Sequence, residues 1–497
     1  MPNTSVILSI DQGTTSSRTL VFTMDGKLLY TAQESFPQIY PEDGWVEHDP
    51  EAIWNTVVNT LKDASAYCQD HKLTIKAAGI TNQRETTLVW DRKSGKPVYN
   101  AIVWQDRRTA SACSKLKEAG HEDIIRKKTG LLLDPYFSAS KIGWILDNVK
   151  GTRARAEAGE LAFGTVDSFL IWRLTGGKIH ATDATNASRT SLFNIEKSAW
   201  DNGLIDIFGL PKNLLPDVKD CADDYGVIDD DIIMGGVPIC GVAGDQQAAL
   251  IGQGCFEVGD LKSTYGTGCF IVTNTGSNII RSKNNLLSTV GYRLKGKTTY
   301  ALEGSIFVAG AAIQWLRDGL ELFSDAKESA SLASSSEDNP DLYLVPAFTG
   351  LGAPYWDPHA RGAIFGLTRA ANRADIVRAA LEGIAFQTHD LLDAMNKDGV
   401  TPKTLRVDGG MVANDWFLQA LSNITNLVVE RPDMLETTAL GAARLAIMAL
   451  NSRDSAQKNK NNDALYQAHP NWNIDHRSAR IKRWNRAVKA TRHFSDS

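Results

Sequence analysis

The sequence predicts two α/β domains of similar plan facing one another, and three observations carry this. The chain has 497 residues, beyond the size at which a single hydrophobic core stops growing. Strand pairs with a Gly/Thr turn occur twice, near residues 13 and 266. Each is followed by helical patterns and further strands. The boundary is expected near residues 250–260, giving units 1–252 and 253–497.

Residues 6–10 are apolar and β-branched, a first strand. A tight Gly/Thr turn leads to a second at 18–23, and Asp25-Gly26 is a hairpin signal before a third at 28–31. Together they predict an antiparallel meander. Helical periodicity runs over 52–67, and a strand leads into Ile80-Thr81-Asn82. Residues 237–242 form an apolar strand ahead of a helix. In the second half a strand pair over 263–274 turns at Gly-Thr-Gly, and strands follow at 289–294 and 298–302. A helix is expected over 309–323, with Ile313, Leu316, Leu320 and Phe323 on one face. Residues 326–340 are Ser/Glu-rich, an exposed helix end and loop, and 405–407 is a strand before a helix from about Asn414. The Lys/Asn-rich stretch 454–463 reads as a surface connection. The basic segment 476–493 carries Ile481, Trp484 and Val488 at helical spacing, an amphipathic surface helix rather than a site for an anionic partner.

Composition excludes several function classes. Hydrophobic residues make up 43% and charged residues 22%, an ordinary soluble globular profile. A net charge of −5 does not suit a generic nucleic-acid binder, which needs clustered Lys and Arg. The N-terminus has no basic n-region, so no signal peptide is expected. No apolar run reaches the roughly 18 residues of a membrane span. Cys68, Cys113, Cys221, Cys240, Cys255 and Cys269 are scattered with no CxxC pair. Neither zinc nor a disulfide framework is expected, and a reducing cytoplasm fits best.

Gly291-Tyr-Arg-Leu-Lys-Gly296-Lys297-Thr298 satisfies the P-loop pattern letter for letter. A working P-loop must open a helix whose N-terminus holds phosphate. Here Thr298-Thr299-Tyr300-Ala301-Leu302 follows, which favours a strand. The match is read as a hairpin tip.

Other residues carry chemistry more convincingly. Asp11 ends a strand, where an acid can hold Mg²⁺ through water. The turn Gly13-Thr14-Thr15-Ser16 offers backbone N–H groups and hydroxyls to a phosphate, and Arg18 adds charge; the plainer reading is a polar hairpin turn. Tyr265-Gly266-Thr267-Gly268 repeats this chemistry. Gly310 and Gln314 share one helix face, where a glycine would let a flat nucleotide approach the backbone. Asp408-Gly409-Gly410 forms a loop against which a nucleotide could lie, although Asn414 reads more simply as a helix N-cap. In Gly244-Asp245-Gln246-Gln247, Asp245 is either a helix cap or the acceptor of a substrate hydroxyl proton. Arg84-Glu85 presents a donor fork beside an acceptor pair, which suits vicinal hydroxyls; the plainer reading is a solvated surface pair.

Taken together, these stretches resemble the FGGY carbohydrate kinases of the actin-like ATPase superfamily, and most closely the members that act on glycerol. The likeness covers most of the chain. It runs through GWVEHDP at 44–50, NQRET at 82–86, WQDRR at 104–108, DATNAS at 183–188, GDQQAA at 244–249, YGTGCF at 265–270, FTGLGAPYWDP at 348–358 and DGG at 408–410. Two family signature stretches stand at 136–148 and 362–382.

The resemblance implies two ribonuclease-H-like domains with a deep interdomain cleft, the first holding polyol and phosphate, the second the nucleotide. It implies ATP and Mg²⁺ as cofactors, glycerol as substrate, and a homo-oligomer, dimer or tetramer. By carry-over, Arg84, Glu85, Tyr136, Asp245 and Gln246 hold glycerol, with Trp104 and Phe270 against its carbons. Thr14, Thr15, Ser16 and Arg18 hold phosphate. Mg²⁺ sits near Asp11 and Asp245, and Asp245 is the general base. Thr267, Gly310, Gln314, Gly410 and Asn414 contact the nucleotide. Some bacterial members carry a Gly- and Arg-containing loop that binds fructose 1,6-bisphosphate as an inhibitor. The corresponding stretch here, 229–236, reads DDDIIMGG and lacks the arginine, so inhibition is expected to be weak or absent. The alternatives are a family kinase for another small polyol or ketose, and a non-catalytic regulator of the same superfamily.

Overall fold

The computed structural model describes residues 4–451 and 464–495; the connection expected at 454–463 lies outside them. The first domain is built on strands β1 (Ser5–Gln12), β2 (Ser16–Thr23), β3 (Leu28–Ser35), β4 (Thr74–Asn82) and β5 (Ile239–Gly244). Their order in the sheet is β3-β2-β1-β4-β5. The β1-β2-β3 meander is antiparallel, while β4 and β5 run parallel to β1. β1 is buried along almost its whole length, which is why it reads as a continuous apolar run rather than an alternating one.

The second domain repeats the plan. Its strands are β6 (Leu261–Tyr265), β7 (Cys269–Gly276), β8 (Leu287–Leu294), β9 (Lys297–Ile306), β10 (Thr404–Asp408), β11 (Val428–Pro432) and β12 (Ala464–Ala468), in the order β8-β9-β7-β6-β10-β11-β12. The run β9-β7-β6-β10-β11 matches β3-β2-β1-β4-β5 in order and direction, with β8 intervening in the chain between β7 and β9 and added at the sheet edge. Two similar ribonuclease-H-like sheets were expected, and both are present. β8 and β9 form a hairpin whose tip holds Lys295 and Gly296, both at positive φ, and no helix follows. The P-loop-like letters therefore lie on a strand pair.

Seven helices matter to the argument: α1 (Pro50–Asp70), α2 (Asp245–Gly252), α3 (Gly310–Asp318), α4 (Arg373–Lys397), α5 (Asp415–Thr425), α6 (Thr437–Asn451) and α7 (Ile474–Ser495). α1 starts as its sequence dictates, with Asp49 Oδ1 accepting from Glu51 N and proline in the first turn. Its Ile53, Val57 and Leu61 enter the first core. α2 and α6 cross between the two sheets. Ala439, Leu440, Ala443 and Ala446 of α6 pack on Ile7, Leu20, Phe22 and Ala77 of the first sheet. Ala248, Leu250 and Ile251 of α2 pack with Val272 and Ala301 of the second. Thus a helix late in the chain completes the first domain's packing.

Three expectations need correction. The helix foreseen over 309–323 is α3 alone: the chain turns at Glu321, with φ 54°, and Leu320 is exposed. Residues 326–340 contain a helix, Glu328–Ser335, that buries Ser329 and Ala333. α7 buries Trp484 and Val488 as its spacing predicts, but it also buries Arg480, which pairs with Glu382 and Asp338.

Candidate active site

Asp11, Arg84-Glu85, Asp245, Thr267 and Gly410 follow or end the parallel strands β1, β4, β5, β6 and β10, where open α/β sheets bind ligands. Arg18 and Phe270 lie on the antiparallel strands β2 and β7, and Gly310 and Gln314 on α3. β1 ends at Asp11 and Gln12, and the turn to β2 closes with Gly13 N donating to Ser16 O at 2.9 Å. Gln83 Nε2 braces this turn through Gln12 Oε1 (3.0 Å) and Gly13 O (3.1 Å). Trp104 Nε1 donates to Thr14 Oγ1 at 3.1 Å. Thr15 is exposed and Ser16 half-buried. Arg18 pairs with Asp11 at 2.5 Å and with Glu436, just ahead of α6, at 2.6 Å.

β4 leads into Arg84 and Glu85, which are buried and not a solvated surface pair. Glu85 adopts φ 57°, a strained region for a side chain of this size. Its carbonyl is held there by the hydroxyls of Thr87 and Ser138, each at 3.0 Å. Arg84 does not turn to its sequence neighbour. Its fork grips Glu303 of β9, Nη1 at 2.5 Å and Nη2 at 3.1 Å, and its Nε meets Asp245 at 3.1 Å. Glu85 Oε1 accepts instead from Arg189 Nε at 2.6 Å, and Arg189 Nη2 reaches Glu303 at 2.9 Å. The rings close over this cluster: Trp104 lies edge-on to Tyr136 (5.7 Å) and to Phe270 (6.0 Å).

β5 ends at Gly244, and Asp245 opens α2. Gly244 is the cap residue, and Asp245 Oδ1 accepts from Gln246 N at 2.7 Å. The DATNAS stretch explains the local geometry. Asp183 caps Ala184–Ala187, and Thr185 Oγ1 accepts from Gly244 N at 2.9 Å, setting the residue before Asp245. Burial pushes the Asp245 carboxyl up to about 6, with Arg84 opposing and Glu85 adding to the rise. Glu303 shows the opposite outcome. Burial disfavours its charge, but Arg189 and Arg84 outweigh that and hold it down at about 2. Lys262 of β6 is buried beside them, donating to Gln246 Oε1 and to Thr264 Oγ1 at 2.9 Å; burial lowers its affinity for the proton. Gln246 therefore faces a lysine of the second domain.

In the second domain the turn after β6 is tied to α3: Gly310 N donates to Gly266 O, and Ala309 N to Thr267 O, each at 2.9 Å. A Cβ at Gly310 would lie 2.6 Å from Gly266 O. The turn's own backbone thus requires glycine at this position. Gln314 is exposed on the same helix. After β10, Gly409 takes φ 94° against Tyr265, and Gly410 borders open space. Asn414 is the N-cap of α5, Oδ1 accepting from Phe417 N at 3.0 Å while Nδ2 donates to Ser329 Oγ at 3.1 Å.

Asp11 Oδ2 is taken by Arg18 and Asp245 Oδ1 by Arg84 and a backbone N–H. That leaves one oxygen of each carboxylate for a cation. Among the described residues no cluster of three or more His, Cys, Asp or Glu side chains could cage a metal. Two carboxylates fit Mg²⁺, which keeps most of its waters and takes substrate phosphate oxygens as ligands.

Glu303, Arg189 and Lys262 were missed in the sequence. Glu303 carried a faint signal, a carboxylate in the middle of an apolar strand. Arg189 stands one residue past the DATNAS stretch.

The FGGY family models of carbohydrate kinases match in two parts, the N-terminal domain over residues 6–252 and the C-terminal domain over 261–450. The chain is 56% identical over 491 residues to the glycerol kinase of Rhizobium meliloti, covering 98% of each. It is 62% identical over 441 residues to that of Alteromonas mediterranea, covering 88% of this chain and 89% of the other. Among solved structures, Plasmodium falciparum glycerol kinase with ADP superposes with a TM-score of 0.92 at 36% identity, over 98% of both chains. Gluconate kinase from Lactobacillus acidophilus shares the fold, with a TM-score of 0.89 at 23% identity. With both domain models matched in order and relatives this similar along nearly the whole length, the chain belongs to the FGGY family of carbohydrate kinases.

Proposed function

We propose that this protein transfers the γ-phosphoryl group of ATP to a terminal hydroxyl of glycerol, giving sn-glycerol 3-phosphate and ADP. The observation that carries the reading is the pairing of Asp245 with a small pocket of fixed donors, acceptors and rings. Arg84 and Glu85 supply a donor and an acceptor for adjacent hydroxyls, and the rings of Trp104, Tyr136 and Phe270, packed edge-on to one another, lie against the carbons. Leaving such buried groups unpaired is costly, so an analogue lacking a hydroxyl is rejected.

Asp245 accepts the hydroxyl proton as the oxygen bonds to the γ-phosphorus and the bond to the β-phosphate oxygen breaks. A carboxyl at about 6 is a better base than an ordinary aspartate and stays ionised at neutral pH. The loose transition state lets the proton leave late. The Thr14-Thr15-Ser16 turn and Arg18 position the transferring group, while Thr267, Gly410 and the exposed Gln314 border the nucleotide. Asn414 caps α5 through Oδ1 and gives one Nδ2 hydrogen to Ser329, which leaves its second Nδ2 hydrogen for the nucleotide. Asp11 and Asp245, each with one carboxylate oxygen left over, would hold Mg²⁺, which when bound would supply charge neutralisation on the phosphate oxygens. No helix among the described residues is long and apolar enough to cross a membrane; work in the cytoplasm is part of the same proposal.

The test is ADP release by the purified protein in Mg²⁺ with glycerol, xylulose, ribulose, erythritol or no acceptor, repeated on Asp245→Asn. Turnover with glycerol alone, abolished by the substitution, is expected. A preference for another polyol refutes the substrate; equal turnover without acceptor refutes the kinase reading itself.

A further inference from the structure

The residues read as polyol ligands do not hold themselves in place. Arg84, Glu303, Arg189 and Glu85 form one chain of ion pairs, with side chains no more than 2% exposed. Two cations and two anions balance. Three of the four come from the first domain, and Glu303 comes from β9 of the second.

Counting donors shows what this chain leaves over. Arginine has five N–H donors. Arg84 directs Nε at Asp245, Nη1 at Glu303 and Gln247, and one Nη2 hydrogen at Glu303. One Nη2 hydrogen remains. Glu85 gives Oε1 to Arg189, and its Oε2 accepts no hydrogen bond from a described residue. One donor and one acceptor, on adjacent residues, are what two neighbouring hydroxyls need. Without Glu303, Arg84 would keep only Asp245 on its Nε and Arg189 only Glu85 on its Nε, two buried cations whose freed Nη groups have Glu85 as the carboxylate to share. Arg84 would then turn toward Glu85 and consume the acceptor the polyol requires.

We propose that Glu303, acting with Arg189, is a positioning residue for the polyol: it reaches across from the second domain and pins both arginines so that Glu85 and one Arg84 N–H stay free for substrate hydroxyls. This rests on the reading of the site as that of a polyol kinase. It also ties assembly of the polyol site to the presence of the second domain, because the pinning carboxylate arrives only with β9.

The experiment measures KM for glycerol and for ATP separately, with kcat, in wild type, Glu303→Gln, Glu303→Asp and Arg189→Lys. Glu303→Gln is expected to lower kcat/KM for glycerol by about a hundredfold, the scale set by an ångström-sized misplacement, mainly through KM for glycerol. KM for ATP stays unchanged. Glu303→Asp keeps the charge and gives a smaller rise; it serves as the test if Glu303→Gln fails to fold. Combining Glu303→Gln with Glu85→Gln should cost little more than Glu85→Gln alone, because both act on the same acceptor. A role in stability alone would reduce the active fraction without moving KM for glycerol. Unchanged KM for glycerol, equal rises for both substrates, or additive effects with Glu85→Gln each overturn the proposal. Wild type is assayed first. If it ignores glycerol the parent reading falls, and the same comparison with the polyol it does phosphorylate decides the role of Glu303.

Discussion

Asp245, half-buried with its side chain 32% exposed, and the fully buried Glu303 are two carboxylates driven in opposite directions by one cluster of charges. Asp245 shares Arg84 with Glu303, sits near Glu85, and ends at about 6; Glu303 has two arginines and is held at about 2. The first value predicts the pH profile. If Asp245 is the base, kcat/KM for glycerol falls tenfold per pH unit below about 6 and is flat above it. A stability consequence follows with a definite sign. The folded carboxyl binds its proton more tightly than the unfolded one, so Asp245 costs stability above its folded value and the cost vanishes below the ordinary range near 3.8. Asp245→Asn should therefore melt higher than wild type near neutral pH and match it at about pH 4, a comparison for differential scanning fluorimetry at both pH values. An equal or lower melting point at neutral pH would mean that Asp245 is well solvated when the protein is at rest. The sequence showed Asp245 and the Arg84-Glu85 pair because each interrupts an apolar strand end. It did not show their partners, because an ion pair between residues 219 positions apart leaves no local pattern.

At the scale of elements, the crossing of α2 and α6 is the tightest contact between helices. A Cβ at Gly252 would lie 1.8 Å from Thr437 O, and one at Gly441 would lie 1.8 Å from Ala248 O. Two further glycines, Gly79 of β4 and Gly241 of β5, let α6 lie on the first sheet. Asp408 Oδ2 spans the same junction, accepting from Gln253 Nε2 just past α2 (2.9 Å) and Thr437 Oγ1 of α6 (2.5 Å). Backbone meets backbone there, so neither helix can yield by turning a side chain. Gly441→Ala should destabilise by about 1–3 kcal/mol, the usual range for overpacking, read by urea denaturation. A loss near zero would show that the helices slide apart freely. The meander, α1 and the β8–β9 hairpin were legible because turn residues and periodicity are local signals. The early stop of α3 and the destination of α6 were not. The first depends on one positive-φ residue, Glu321, and the second on which sheet an Ala-rich helix meets.

At the scale of the molecule, the repeat of β3-β2-β1-β4-β5 as β9-β7-β6-β10-β11 explains why two Gly/Thr turns face one cleft, and why the sequence revealed the plan through those turns alone. The packing crosses the division expected at 252/253 through α6, Glu436 and Glu303. Regulation by a ligand outside the cleft depends on the remaining surface, and the loop at 229–236 bears on it directly. A bisphosphate site needs backbone donors and cations. Here Asp230 Oδ1 already accepts from Gly236 N at 3.1 Å, and Asp229 Oδ1 from Asp231 N at 3.3 Å. The nearest ion-pairing cation to this run is Lys178, 4.0 Å from Asp229. Two of the loop's N–H donors are thus taken by its own carboxylates, three adjacent acids repel an incoming anion, and a chain of net charge −5 adds no attraction at long range. Fructose 1,6-bisphosphate at millimolar concentration should leave the rate with glycerol unchanged, measured at saturating ATP and at low salt, where charge effects are strongest. Dose-dependent inhibition below about one millimolar would mean that cations from elsewhere, such as a second copy of the chain, overcome the acidic loop.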